Sequence, residues 1–180
     1  MRVWSALCLA GALAAPAAAA EPHIRDLSIV VDGLQVLASF RLEDGFTPGL
    51  LERIQSGLPT GFVYELELAC DRKRWWDDGL EASRLEVVAM FNAVTREYLV
   101  NTKLEGKLLD SRTLRDTGDL ERAMTGFSAL PVFTIEPDCA RERYLVRARV
   151  ELGTSNWLGF IPVLKTTDWV ESNKIRVRNP

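Results

Sequence analysis

The chain has 180 residues, of which 47% are hydrophobic and 26% charged, a composition typical of folded globular proteins and unlike that of disordered or fibrous ones. Its 22 Lys and Arg residues against 25 Asp and Glu give a formal net charge of -3, which excludes a strongly basic surface for nucleic acid. With one His and three Cys, the chain has few residues for acid–base, nucleophilic or metal chemistry.

The N-terminus has the pattern of a secretory signal peptide. Residues 1–20 begin with a basic residue, continue in an apolar stretch from Val3 to Ala15 and end in four alanines. Signal peptides combine these three parts, and the apolar stretch is shorter than the roughly 20 residues that span a bilayer. The sequence therefore predicts cleavage after Ala20 and export of one β-rich domain, residues 21–180, to the periplasm as a soluble protein.

Strands joined by turns are predicted for the first part of the exported domain, because apolar and polar residues alternate there. A turn is expected at Asp32-Gly33. One short helix interrupts the strands, with Thr47 as its N-cap, Pro48 at its first position and Gly57 at its end. The predicted strands are Leu27–Val31, Leu34–Leu42, Phe62–Asp71, Leu85–Phe91 and Thr95–Thr102.

A second helix is predicted to begin near Thr117 or Asp119 and to be closed by Pro131. It carries an apolar stripe at helical spacing, formed by Leu120, Ala123, Met124 and Phe127. The strands predicted after it are Val132–Glu136, Tyr144–Leu152 and Lys174–Arg178. Together these elements predict a mainly β fold (β-rich α+β), an antiparallel sandwich-like domain with two short helices.

Two cysteines remain in the exported domain, Cys70 and Cys139. An even pair in an oxidising compartment predicts a disulfide bond between them. Two separate buried thiols are the first alternative. A reactive thiolate at Cys70 is the second, since neighbouring cations lower a thiol pKa, but the partners of a Cys-His site are missing from the sequence.

The most unusual composition occurs in residues 72–78, the Trp-rich segment, where three cations, two tryptophans and two acids occur together. Trp and Arg are favoured at binding hot spots and at the depth of lipid headgroups. Alternatively, the tryptophans close one end of the sandwich while the charges face water. As a candidate interaction surface the segment offers Arg72, Arg74, Trp75, Trp76 and Asp77.

No catalytic, cofactor-binding or metal-binding motif is found in the sequence. A glycine-rich phosphate loop, a metal-spaced Cys/His set and a nucleophile elbow are all missing. His23 is the third residue of the predicted exported domain and is expected to be a solvated terminal residue. A noncatalytic binding or interaction module without a cofactor is therefore the first hypothesis, and an enzyme is the least favoured one.

Three blocks of the sequence resemble a known family. They are Phe62–Leu66 after Leu58-Pro59, Arg74–Asp77, and Phe91–Tyr98, and together they resemble the family known as domain of unknown function 4390. The resemblance covers about Ile24 to Arg178. It implies an exported protein of a Gram-negative bacterium with no assigned activity.

Genes of this family that lie near a sensor histidine kinase imply a role in envelope signalling. The expected partner is accordingly an envelope protein, with a sensor kinase as one candidate, and no nucleic acid. The alternative hypothesis is an accessory subunit of an inner-membrane sensor or envelope complex, with peripheral membrane contact through lipid headgroups. Cys70, Cys139 and the tail around Gly159–Lys165 depart from the family pattern, and the sequence leaves the oligomeric state open.

Overall fold

The computed structural model describes residues 20–71, 79–135, 143–157 and 161–176. Ten strands and two helices occur in these ranges. In chain order they are β1 His23–Asp32, β2 Gln35–Glu43, α1 Pro48–Gln55, β3 Thr60–Asp71, β4 Gly79–Asn92, β5 Glu97–Leu104, β6 Lys107–Leu114, α2 Thr117–Thr125, β7 Gly126–Thr134, β8 Arg143–Trp157, β9 Ile161–Thr166 and β10 Val170–Glu171.

The strands form two antiparallel sheets that pack against each other. The small sheet has the order β1-β2-β7, and the large sheet has the order β10-β8-β3-β4-β5-β6, with β9 also paired to β8. The predicted mainly β, antiparallel sandwich-like fold with two short helices is confirmed. Neither helix in the described part of the chain is long and apolar enough to cross a membrane.

The period-two pattern of β3 places one face of the strand in the core. Its side chains at Phe62, Tyr64, Leu66 and Leu68 are at most 3% exposed, whereas Glu65 and Glu67 between them face outward. Burial of each large apolar side chain contributes about 1.5–3 kcal/mol. The same cluster includes residues of the small sheet and of both helices, so one core holds the two layers together.

Tyr64 places a hydroxyl group at the centre of this core. The hydroxyl donates a hydrogen bond of 2.9 Å to the carbonyl oxygen of Met124 at the end of α2. The ring packs against Phe40 at 5.3 Å and Phe127 at 5.2 Å between centroids. Burial raises the pKa of the Tyr64 hydroxyl well above its usual value, because the phenolate would lose its hydration.

The first helix forms as the sequence predicts. Thr47 is its N-cap, since its Oγ1 accepts a hydrogen bond of 3.2 Å from the backbone N–H of Leu50. Pro48 occupies the first position, where its missing N–H costs nothing. Ile54 anchors the helix in the core, and Gly57 leaves the helix with a φ of +83°.

The second helix ends before the predicted position. α2 stops at Thr125, and Gly126 adopts extended backbone angles, φ -117° and ψ 127°, that begin β7. Phe127 therefore contributes to the core from a strand, with its ring 4.9 Å from that of Phe40. Pro131, predicted to close the helix, lies inside β7 opposite Leu37, at an irregularity of an edge strand where a missing N–H is tolerated.

A C-terminal segment, residues 167–176, joins the open edges of the two sheets. The side-chain amide of Asn173 acts like the backbone of a neighbouring strand toward β1: its Oδ1 accepts from the Ile29 N–H at 2.7 Å, and its Nδ2 donates to the Ile29 carbonyl at 3.1 Å. Ser172 donates its backbone N–H to the Val146 carbonyl in β8 at 2.9 Å. A strand was predicted for Lys174–Arg178, but within the described residues this range contains only an isolated β-bridge between Ile175 and Tyr144.

Candidate ligand-binding cleft

A cleft of about 750 Å³ opens at one end of the sandwich, and we call it the sandwich-end cleft. Its walls come from residues before β1, the loop after β2, one side of α1, the start of β3 and the adjacent parts of β8 and β9. The volume lies in the range of pockets that hold small organic ligands.

The floor of the cleft is apolar. Phe62 and Leu152 are register partners on β3 and β8, and both line the cleft together with Leu50 of α1. Phe62 is only 3% exposed, and its ring lies 6.2 Å from that of Tyr64. The floor is therefore the end of the hydrophobic core, and an apolar ligand seated there would extend the core.

Three glycines give the walls their shape. A Cβ atom on Gly61 would lie 1.7 Å from the backbone oxygen of Val87, and one on Gly45 would lie 2.4 Å from the side chain of Leu42. A Cβ on Gly49, by contrast, would meet nothing within 4 Å. Gly61 is thus required by strand packing, whereas a side chain added at Gly49 could fill the cleft without displacing its neighbours.

Charges of both signs line the cleft. Arg53 and Lys165 provide two cations, and neither makes an ion pair within the described residues. Glu21 and Asp44 provide two carboxylates, and Asp44 Oδ2 lies 3.9 Å from Nδ1 of His23. The lining can therefore complement a ligand group that carries a positive and a negative charge.

His23 fixes the wall that carries Glu21. Its Nδ1 lies 2.8 Å from the Glu21 carbonyl oxygen, and its Nε2 lies 3.1 Å from Nε of Arg25. Nδ1 is thus placed to donate to the Glu21 carbonyl, and Nε2 is placed to accept from the Arg25 guanidinium. The expectation of a solvated residue agrees with a His23 side chain that is 41% exposed. His23 is not a free terminal residue, however, because it begins β1 and both ring nitrogens lie within hydrogen-bonding distance of neighbours.

The sequence-predicted interaction surface is not in the part of the chain that the structure describes. Arg72, Arg74, Trp75, Trp76 and Asp77 lie outside the described residues, and β3 reaches Asp71, just before them, at the end opposite Phe62. The sandwich-end cleft was not predicted from the sequence. Its only local signal is a clustering of glycine and proline on either side of α1, in residues 45–49 and 57–61.

Only one of the two predicted disulfide cysteines lies in a described segment. The backbone of Cys70 pairs with Tyr144, near the start of β8, while Cys139 lies outside the described residues. The bond between them stays a prediction. Among the residues that the structure describes, no group of three or more His, Cys, Asp and Glu side chains is placed to hold a metal ion.

Comparison with known proteins identifies a family. The sequence profile described as Domain of unknown function (DUF4390) matches residues 19–157, a range that contains every element from β1 to β8 and both helices. No curated protein and no solved structure matches the chain. The match covers well over half of the sequence and confirms the resemblance of the three sequence blocks, and the chain therefore belongs to the DUF4390 family.

Proposed function

We propose that the chain is an exported, noncatalytic binding module of the periplasm, and that its ligand occupies the sandwich-end cleft. The observation that carries the proposal is one cleft of ligand size that combines an apolar floor, two carboxylates and two cations without an ion pair among the described residues. The signal-peptide pattern of residues 1–20 supports export. The family match starts at residue 19, which supports the same division of the chain.

The ligand class follows from the lining. An apolar chain lying against Phe62 would bury the exposed parts of Leu50 and Leu152, as the hydrophobic effect favours. A phosphate group would take charge-assisted hydrogen bonds from Arg53 and Lys165, and an ammonium group would face Glu21 or Asp44. A zwitterionic amphiphile with one acyl chain, such as a lysophosphatidylethanolamine, satisfies all three parts.

We expect lysophosphatidylethanolamine, added below its critical micelle concentration, to bind the exported domain in isothermal titration calorimetry. The Gly49→Leu variant should lose this binding, because Gly49 lines the cleft and the space beside its Cβ position is open, so that the new side chain would compete with the ligand for this space. Glu52→Leu is the matched control: it adds the same side chain to an exposed position of α1 outside the lining and should bind like the wild type. Binding that survives Gly49→Leu would disprove the cleft as the site.

The head group can be tested separately from the chain. Arg53→Gln should weaken binding of lysophosphatidylethanolamine about tenfold, the effect of losing one charge-assisted hydrogen bond. The same variant should bind the uncharged monoacylglycerol of equal chain length as the wild type does. Equal loss for both ligands would show that Arg53 acts through packing, and the assignment of the cations to a phosphate would be wrong.

The mass of the exported protein tests both the predicted signal-peptide cleavage and the predicted disulfide bond. Protein recovered from the periplasm should have the intact mass of a chain that begins at Glu21 and lacks two hydrogens, as expected for a bond between Cys70 and Cys139. Alkylation without a reductant should add nothing to that mass. A mass that includes Met1–Ala20 would contradict the predicted cleavage, and two alkylated cysteines would contradict the disulfide bond.

A further inference from the structure

β6 is an edge strand of the large sheet. Within the described residues it pairs with β5 alone. Six of its eight residues are exposed, including Leu108 at 59% and Leu109 at 44%. An edge strand presents backbone donors and acceptors that another strand can take up, and exposed leucines beside it add an apolar contribution to such pairing.

The charges in the middle of β6 form a short pattern. Asp110 and Arg112 are two residues apart, lie on the same face and contact each other, and their side chains are 42% and 61% exposed. Ser111 between them points to the other face, where its Oγ donates to Asn101 Oδ1 at 2.8 Å. A negative and a positive charge therefore flank a small central residue.

We propose that β6 pairs antiparallel with β6 of a second copy of this chain, with Ser111 opposite the partner's Ser111. In this arrangement Asp110 faces the partner's Arg112, and Arg112 faces the partner's Asp110. Opposite charges directly across an antiparallel pair are favourable. The contact is isologous, so a single two-fold axis through Ser111 forms both charge pairs and closes the assembly as a dimer.

The same charges select this register. A shift by one residue would pair residues of opposite faces, so the core layers of the two copies would lie on opposite sides of the joined sheet and the two-fold axis would be lost. A shift by two residues would place Asp110 opposite Asp110 or Arg112 opposite Arg112, and like charges directly opposite are unfavourable. The central register also brings the exposed Leu108 and Leu109 beside the C-terminal end of the partner's β6.

Charged edge strands can also serve only to prevent pairing, in which case the protein is a monomer. Sedimentation equilibrium of the wild type separates the two roles, since self-pairing predicts twice the monomer mass. Arg112→Asp and Asp110→Arg should each raise the dimer dissociation constant at least tenfold, because each variant places like charges opposite each other twice. Arg41→Asp, at an exposed position of β2 in the other sheet, is the matched control and should leave the dimer unchanged.

Mixing the two charge variants provides the sharpest test. Arg112→Asp retains Asp110, and Asp110→Arg retains Arg112, so each strand complements the other only in the mixture. The mixture should form a heterodimer with a dissociation constant near that of the wild type, while each variant alone stays monomeric with an unchanged far-UV circular dichroism spectrum. A monomeric wild type, or a mixture that stays monomeric, would overturn the proposal.

Discussion

Replacing Tyr64 with Ala is expected to lower the free energy of unfolding by about 3–5 kcal/mol, the range found when a large aromatic side chain is removed from a packed core. The ring contacts Phe40, Phe62 and Phe127, so its loss leaves a cavity between the two sheets. Urea unfolding followed by circular dichroism measures the change. A loss below about 1 kcal/mol would mean that the core collapses onto the vacated space.

The Tyr64→Phe variant isolates the hydroxyl group. It keeps the ring but leaves the Met124 carbonyl without its partner, which should cost about 1–3 kcal/mol. Tyr98→Phe is the matched control, because the Tyr98 hydroxyl accepts a bond from Gln55 at a partly buried site and its loss should cost less. Equal losses of unfolding free energy in the two variants would show that full burial does not increase the contribution of the Tyr64 hydrogen bond.

The raised pKa of Tyr64 also predicts how stability depends on pH. Above about pH 10 this tyrosine ionises in the unfolded chain but stays protonated in the fold, so the unfolded state binds fewer protons. The contribution of Tyr64 is therefore fully present below pH 10 and is lost as the pH rises further, by up to about 1.4 kcal/mol for each pH unit. The Tyr64→Phe variant should show a correspondingly shallower loss of stability in that alkaline range.

Replacing Gly61 with Ala should be almost as damaging, with a loss of about 3 kcal/mol. The added Cβ would lie 1.7 Å from the Val87 oxygen and 2.8 Å from the Val88 Cα, both backbone atoms of the neighbouring β4. Backbone atoms in the middle of a sheet are held by hydrogen bonds and cannot move aside as a flexible side chain can. The two strands would have to separate, which would disturb the ladder that joins β3 to β4.

Gly49→Ala is the matched control for Gly61→Ala. Both glycines line the sandwich-end cleft, but the Cβ position of Gly49 is open and its backbone is helical. Ala should therefore leave stability unchanged or raise it by up to about 1 kcal/mol, because Ala is a better helix former. Urea midpoints of the two variants give the comparison. Similar losses at both positions would show that the close approach to β4 is not the cause.

The sequence predicts those elements whose two faces have different surroundings. β3 is one of them, since Phe62 and Tyr64 face the core while Glu65 and Glu67 face outward. Apolar and polar residues therefore alternate along its sequence, which predicts a strand. The first helix is another, because Thr47 and Pro48 act within one turn of the chain. Its N-cap and its end need no tertiary information.

The sequence does not predict elements whose secondary structure depends on contacts with residues far away in the chain. β6 has no buried face, so its residues show no alternation, and only its pairing with β5 makes it a strand. The position of Phe127 in the sequence is compatible with the apolar stripe of a helix and with the inner face of a strand. Residues 126–134 pair with β2, so Phe127 belongs to a strand. The sandwich-end cleft joins Leu50, Phe62, Leu152 and Lys165 from four elements, a proximity that no local pattern contains.

The strand order of the small sheet implies an order of folding. β3 to β6 are consecutive neighbours in the large sheet, and such local hairpins close short loops. The small sheet instead needs β7 beside β2, with Thr134 opposite Gln35, so a long loop must close before its third strand is gained. We expect the four-strand meander to form early and the small sheet late in folding. The sandwich-end cleft takes walls from the segment before β1 and the loop after β2 as well as from β3 and β8. It is therefore complete only once the small sheet has joined the large one.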